Sequence, residues 1–161
     1  MSSTHVTTLR VLENNIVTTV NLAKRGVVVD SILCGLCGVK EETTSHLFFE
    51  CKIVWLVWNL YYAWLWLKSV DHIASVLHFL HFKFIGAPTS VNLGFENVWI
   101  TLVNESWRHR NKHIFKGEVV DHSKIFSLTQ LKDLVLGYSK VPSAYFFFLD
   151  WCLDPLACIF F

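Results

Sequence analysis

Apolar residues recur at three- and four-residue steps over Asn92–Phe115, which predicts an amphipathic helix that ends at Gly117. A further helix is predicted after Asp121, because aspartate is a typical N-cap residue and apolar positions follow it as far as Gly137. From these two segments we predict that the chain is mainly α-helical.

The N-terminal quarter of the chain has a weaker pattern. Residues 20–25 are predicted to form a short helix that Gly26 ends, and residues 27–32 a short extended stretch. Residues 1–19 carry little periodicity and are expected to be a loop or a weak helix.

The run Ile53–Leu67 contains no charged residue. Fifteen helical residues span about 22 Å, which is short of the roughly 30 Å hydrocarbon core of a bilayer. We therefore interpret the run as a helix that is buried or covered by a partner, and membrane association is the less favoured alternative. Because residues 92–115 and the tail at 146–151 can cover it only in part, we expect one face, including Leu56 or Trp64, to stay exposed.

Composition and charge narrow the class of protein. Hydrophobic residues make up 53% of the 161 positions and charged residues 17%, and the net charge of +1 shows no global basic excess that would indicate nucleic-acid binding. The N-terminal segment lacks the apolar core of a secretory signal peptide, so we expect an intracellular protein, in the nucleus or the cytoplasm. Neighbouring cysteines in a reducing compartment favour a metal site over disulfides.

Three of the five cysteines lie close together in a C-x2-C-x8-H-x4-C pattern formed by Cys34, Cys37, His46 and Cys51. Two Cys/His pairs separated by a short loop can complete a tetrahedral zinc site, and four protein ligands leave no position for a reactive water. Gly35 and Gly38 fit a knuckle turn that requires positive φ. The alternative is a chance grouping of free cysteines and a surface histidine.

The same region resembles the zinc-binding domain of plant LINE-type (non-LTR) retrotransposon polyproteins, which lies C-terminal to the reverse transcriptase. The residues that carry the resemblance are Asn21, Leu22, Lys24, Arg25, Gly26, Val27, Cys34, Cys37, Gly38, Glu41, Glu42, Thr43, His46, Leu47, Phe48, Phe49, Cys51, Val57 and Trp58. A weaker similarity continues in Trp107, Arg110, Asn111, Ile114 and Phe115.

The resemblance implies that the four motif residues bind zinc, and it supplies no catalytic residue. We divide the chain into a poorly defined segment at 1–19, a zinc module at 20–68 and a helical region at 69–161, and we expect the zinc module and the helical region to form one unit of a single-domain protein. The chain departs from the family at Ile16, where the family has leucine followed by proline, and in the uncharged outer face of the helix after Cys51. We interpret it as a truncated member.

No other motif indicates an enzyme, because the chain lacks paired aspartates for metal-dependent polymerisation, a phosphate-binding loop and a nucleophile motif. The one basic cluster contains the candidate nucleic-acid-binding residues Arg108, Arg110, Lys112 and Lys116. Such cations can neutralise phosphates, but they are also typical of the solvated end of a helix.

Two further groups are weaker metal candidates. His109 and His113 are spaced four apart on the predicted helix, and Cys152 and Cys158 are reserve ligands if His46 does not bind. The two histidines have no nearby glutamate or cysteine to complete a site, and buried free cysteine is the ordinary expectation for the two cysteines of the apolar tail.

The sequence thus predicts a zinc-binding accessory module of retroelement origin that binds RNA or DNA. The alternatives are a zinc-stabilised module that binds a protein partner or itself through the helix at 53–67, and a degenerate fragment without a function of its own.

Overall fold

The computed structural model describes residues 3–68, 74–82, 86–140 and 148–160. These parts of the chain form helices and no strand, which confirms the mainly α-helical prediction. The helices are α1 (Ser3–Leu12), α2 (Thr19–Lys24), α3 (Lys52–Trp64), α4 (Ser75–His81), α5 (Thr89–Lys116), α6 (His122–Lys140), α7 (Phe148–Leu153) and α8 (Pro155–Phe160), and a π-helical turn spans His46–Glu50.

The two long helices, α5 and α6, pack along each other and form the frame of the molecule. α5 ends where the sequence predicts, because Gly117 adopts φ 67° and closes the helix. Asp121 accepts a hydrogen bond of 2.9 Å from the backbone amide of Ser123, so it caps α6 as expected. α3 packs against α6, and α1 packs against α5.

The N-terminal residues form a regular helix, α1, which the weak periodicity left open. Its Val11 is fully buried, and the side chain of Asn104 on α5 donates to the hydroxyl of Thr8 at 3.2 Å. The link to α2 is held by Asn21, whose amide donates to the backbone oxygens of Asn14 (3.0 Å) and Ile16 (2.9 Å). α1 is thus stabilised by its packing on α5, and its own sequence pattern contributes little.

The π-helical turn carries the chain from the knuckle into the core. Phe48 and Phe49 are buried there, and the backbone oxygen of Phe48 accepts a hydrogen bond of 2.7 Å from the indole of Trp58 on α3. The ring of Phe49 lies 4.5 Å from that of His78, a buried histidine that Trp99 also contacts through a 3.0 Å hydrogen bond. His46 and Cys51, which flank these aromatics, are therefore attached directly to the core.

One face of α3 stays exposed, but the residues differ from those expected. Trp64 is buried against Trp151 at a ring distance of 5.1 Å, and Leu56 is only partly exposed. The expectation for Trp64 is wrong because α7 covers it, with the backbone oxygen of Cys152 accepting from its indole at 3.0 Å. On α3 and directly after it, the large apolar side chains that face solvent are Trp55 (52% exposed) and Trp66 (78% exposed). Phe146, which the expected cover included, lies outside the described residues.

Across the described ranges, no helix combines the length and the apolar character that crossing a bilayer would require.

Candidate metal centre

The structure brings Cys34, Cys37, His46 and Cys51 together although they come from three different local structures. Each offers one ligand atom, and these atoms all lie within 4.8 Å of one another. Cys34 and Cys51 are buried, His46 is 5% exposed and Cys37 is partly exposed. Among the described residues, no other set of three or more potential ligands converges in this way.

The distances within the cluster fit a tetrahedral ion. The Sγ atoms of Cys34 and Cys51 are 3.9 Å apart, and Cys37 Sγ lies 3.2 Å from His46 Nε2. Bonds of about 2.3 Å to sulfur and 2.0 Å to nitrogen around a tetrahedral centre place two sulfurs about 3.8 Å apart and a sulfur and a nitrogen about 3.5 Å apart. Three thiolates and one imidazole are a common donor set for structural zinc, so the residues fit this metal.

A tight turn presents the first two cysteines. The backbone amide of Gly38 donates to the oxygen of Cys34 at 2.7 Å, and Gly38 has φ 66°, as the knuckle interpretation predicts. The amide of Cys34 donates to the oxygen of Lys40 at 2.7 Å, which closes the loop. Gly35 does not have positive φ, so that part of the expectation is wrong; a Cβ there would instead lie 2.5 Å from Ile114 Cδ1.

The last ligand, Cys51, is the residue directly before α3. Its backbone is extended, with φ −60° and ψ 125°, and α3 starts at the next residue. Its amide donates to the backbone oxygen of His46 at 2.6 Å, so the two ligands of the second pair are tied to each other across the π-helical turn. The second pair of ligands is thereby fixed to the core helix.

The electrostatics of the two buried thiols favour a cation between them. The Cys51 sulfur, followed by burial, raises the pKa of the Cys34 thiol, whereas the hydrogen bond from Cys34 lowers the pKa of Cys51. The thiolate is the metal-binding form of cysteine, so a divalent cation at this position would displace the thiol protons.

His46 is suited to act as a neutral nitrogen ligand. Burial lowers the pKa of its imidazole, which leaves a lone pair available at neutral pH. Nε2 faces Cys37, while Nδ1 is buried without a hydrogen-bond partner among the described residues.

A buried ion pair adjoins the cluster and was not predicted from the sequence. Glu42 is fully buried, and its carboxylate accepts two hydrogen bonds from the guanidinium of Arg110 on α5, one of them from Nε at 3.1 Å. Glu42 belongs to the residues that carry the family resemblance, and this membership is the sequence signal that could have identified it.

This pair changes the interpretation of the basic cluster. Arg110 is 4% exposed and also lies over the ring of Trp107 at 5.0 Å, so it is removed from the candidate nucleic-acid-binding residues. Arg108 and Lys116 are exposed and Lys112 is partly exposed. Arg108 forms an ion pair with Glu105 at 3.6 Å, and the ammonium of Lys112 lies 3.7 Å from the carboxylate of Glu118.

The weaker metal candidates lie outside the converging cluster. His109 is buried with Nδ1 2.9 Å from the backbone oxygen of Glu105, and His113 Nδ1 is 2.7 Å from the backbone oxygen of Glu118. Cys152 and Cys158 are partly buried free cysteines in the C-terminal helices. None of the four belongs to a converging group in the described part of the chain.

Comparison with known proteins supports the metal centre. Residues 2–58 match the family described as zinc-binding in reverse transcriptase, which covers about a third of the chain and includes all four converging residues. The search of curated proteins and the search of solved structures found no match. The family match and the Cys3His cluster together support a zinc-binding module of the reverse-transcriptase kind.

Proposed function

We propose that the chain is a zinc-stabilised accessory module, derived from a LINE-type retroelement polyprotein, that binds nucleic acid. The observation that carries the proposal is the convergence of Cys34, Cys37, His46 and Cys51 within a segment that matches the reverse-transcriptase zinc-binding family. In this proposal all four ligands come from the protein, so the metal stabilises the fold and activates no water. No residue is assigned a catalytic role.

The nucleic-acid contact is proposed at the C-terminal end of α5. Arg108, Lys112 and Lys116 follow one another at four-residue steps, so they lie on one side of the helix over about 12 Å. The cations of the Arg108–Glu105 and Lys112–Glu118 pairs are exposed or partly exposed, Glu105 itself is buried, and both pairs are longer than 3.5 Å. Such pairs contribute little stability, so a phosphate can replace the carboxylate partner.

A salt titration tests this contact. Binding of a single-stranded oligonucleotide to the zinc-loaded protein should weaken with salt, with a slope of log K against log salt of about −2 for three phosphate contacts. Replacing Arg108, Lys112 and Lys116 by glutamine should abolish most of that slope. The matched control replaces the exposed cations Arg10 and Lys68, which lie elsewhere on the surface. Binding that is independent of salt, or equally reduced by the control, contradicts the proposed contact.

A second candidate function, binding of a protein partner, is favoured by the exposed face of α3. Trp55 and Trp66 both present indole rings to solvent on this helix or directly after it. Large exposed aromatic side chains are typical of interaction surfaces. Zinc binding without any binding of RNA or DNA in the titration would favour this second function.

A further inference from the structure

The carboxylate of Glu42 connects three separate parts of the chain. Besides the guanidinium of Arg110, it accepts the backbone amide of Thr19 at Oε1 and that of Gly35 at Oε2, each at 3.1 Å. Thr19 is the first residue of α2, and Gly35 lies between the two ligands of the first pair. Four N–H donors thus converge on one fully buried carboxylate, so its charge is fully compensated.

α5 contacts the same turn at a second point. Ile114 lies one helical turn after Arg110, and the space beside Gly35 is so narrow that an added Cβ would come within 2.5 Å of Ile114 Cδ1. The turn that carries Cys34 and Cys37 is therefore held by a charged contact and by an apolar contact from one helix. Both contacts come from residues far beyond the end of the family match at residue 58.

We propose that Arg110 is a positioning residue of the metal centre: through Glu42 it holds the Cys34–Cys37 turn in the geometry that receives zinc, so that α5 is an integral part of the zinc site. The proposal rests on zinc binding as proposed above. Arg110 contacts no ligand atom and acts through the Glu42 carboxylate and the Gly35 amide. Residues that orient metal ligands in this way affect metal affinity strongly.

The test measures zinc affinity of the full chain by competition with a chromogenic chelator. Arg110→Met should bind zinc 10- to 100-fold more weakly, the range found when outer-shell partners of metal ligands are lost. The zinc affinity of Arg110→Lys should lie between those of the parent and Arg110→Met, because an ammonium keeps the charge but cannot form the two parallel hydrogen bonds of a guanidinium. Arg10→Met, which removes an exposed arginine from α1, is the matched control and should bind as the parent does.

Hydrogen exchange on the unmodified chain gives an independent readout. If the coupling exists, zinc must slow exchange of the α5 amides at 108–116 more than those at 95–102, because binding and docking of the helix end are linked. A merely structural Arg110 would lower stability equally with and without zinc, and would leave exchange in α5 independent of the metal.

Each outcome decides the question. Equal zinc affinity of Arg110→Met and the parent overturns the positioning role and leaves zinc binding intact, whereas a parent chain that binds no zinc overturns both proposals. If Arg110→Met does not fold, the exchange measurement on the unmodified chain decides, and Glu42→Gln combined with Arg110→Met supplies a variant without an unpaired buried charge.

Discussion

Asp133 is a buried residue of α6, and it lies where this helix meets α3 and α5, outside the metal centre. Its Oδ2 lies 3.4 Å from the hydroxyl of Tyr61. Burial raises the pKa of this carboxyl from 3.8 to about 8; hydrogen bonding with Thr101 and Tyr61 acts against this shift, and the nearby charge of Glu105 adds to it. The folded protein therefore holds Asp133 as a neutral acid at pH 7.

This burial predicts a pH dependence of stability. Between pH 4 and 8 the folded state keeps a proton on Asp133 that the unfolded chain has released, so stability falls as the pH rises through this window and the loss is complete above about 8. Asp133→Asn removes the ionisation. We expect it to match the parent near pH 4 and to exceed it by a few kcal/mol at pH 9, since each pKa unit corresponds to about 1.4 kcal/mol.

The measurement is urea unfolding of the zinc-loaded parent and variant at each pH, so that the metal contributes to both proteins. A parent and a variant with parallel pH profiles would show that Asp133 ionises in the folded protein as it does in water.

Cys37→Ser tests the metal ligands, because it removes the sulfur that lies 3.2 Å from His46 Nε2. We expect zinc affinity to fall by more than about 100-fold, and residues 29–51 to lose protection from hydrogen exchange while the helix at 92–115 survives in part. Cys152→Ser, which changes a cysteine outside the cluster, is the control. Retained protection that is insensitive to chelator in Cys37→Ser would show that metal does not stabilise this region.

At the scale of elements, the sequence predicts those structures whose signal is local. α5 and α6 follow from periodicity and from Gly117 and Asp121, and the zinc cluster follows from ligand spacing. The sequence pattern does not distinguish a loop from a helix at α1, because this helix is stabilised by its packing on α5. The role of Arg110 was misassigned for the same reason: its partner Glu42 is distant in sequence, so a basic helix end and a buried ion pair look alike before folding.

The knuckle contacts α5 where Gly35 meets Ile114. Gly35→Ala should cost about 1 kcal/mol or more, because the new Cβ overlaps Ile114, and the cost should shrink in an Ile114→Ala background. Gly38→Ala is the matched control: it should also destabilise, by strain at φ 66°, but by the same amount in both backgrounds, because nothing lies within 4 Å of its Cβ position. Chemical unfolding of the three single variants and the two double variants measures this. A Gly35→Ala cost that does not depend on residue 114 would contradict the contact.

The core of the protein buries most of the apolar side chains of the run at 53–67 at least in part, but not all of them. Trp58, Tyr61 and Leu65 are buried between α3 and the rest of the fold, which explains why the run at 53–67 has no charge on its inner side. Trp55 on α3 and Trp66 directly after it stay in solvent. The sequence pattern could not distinguish the two sides, because the run is apolar all round.

We therefore expect the purified protein to self-associate at tens of micromolar, with the α3 face at the contact, since burial of exposed aromatic area is favourable. Trp55→Glu should shift the population toward monomer, because it places a charge in the centre of that face. Leu149→Glu, which changes an exposed apolar residue on α7, is the control and should leave association unchanged. Analytical ultracentrifugation without detergent measures the effect. A parent protein that sediments as a monomer at these concentrations would mean that the exposed indoles do not drive self-association, and that the α3 face must then be examined for a different partner.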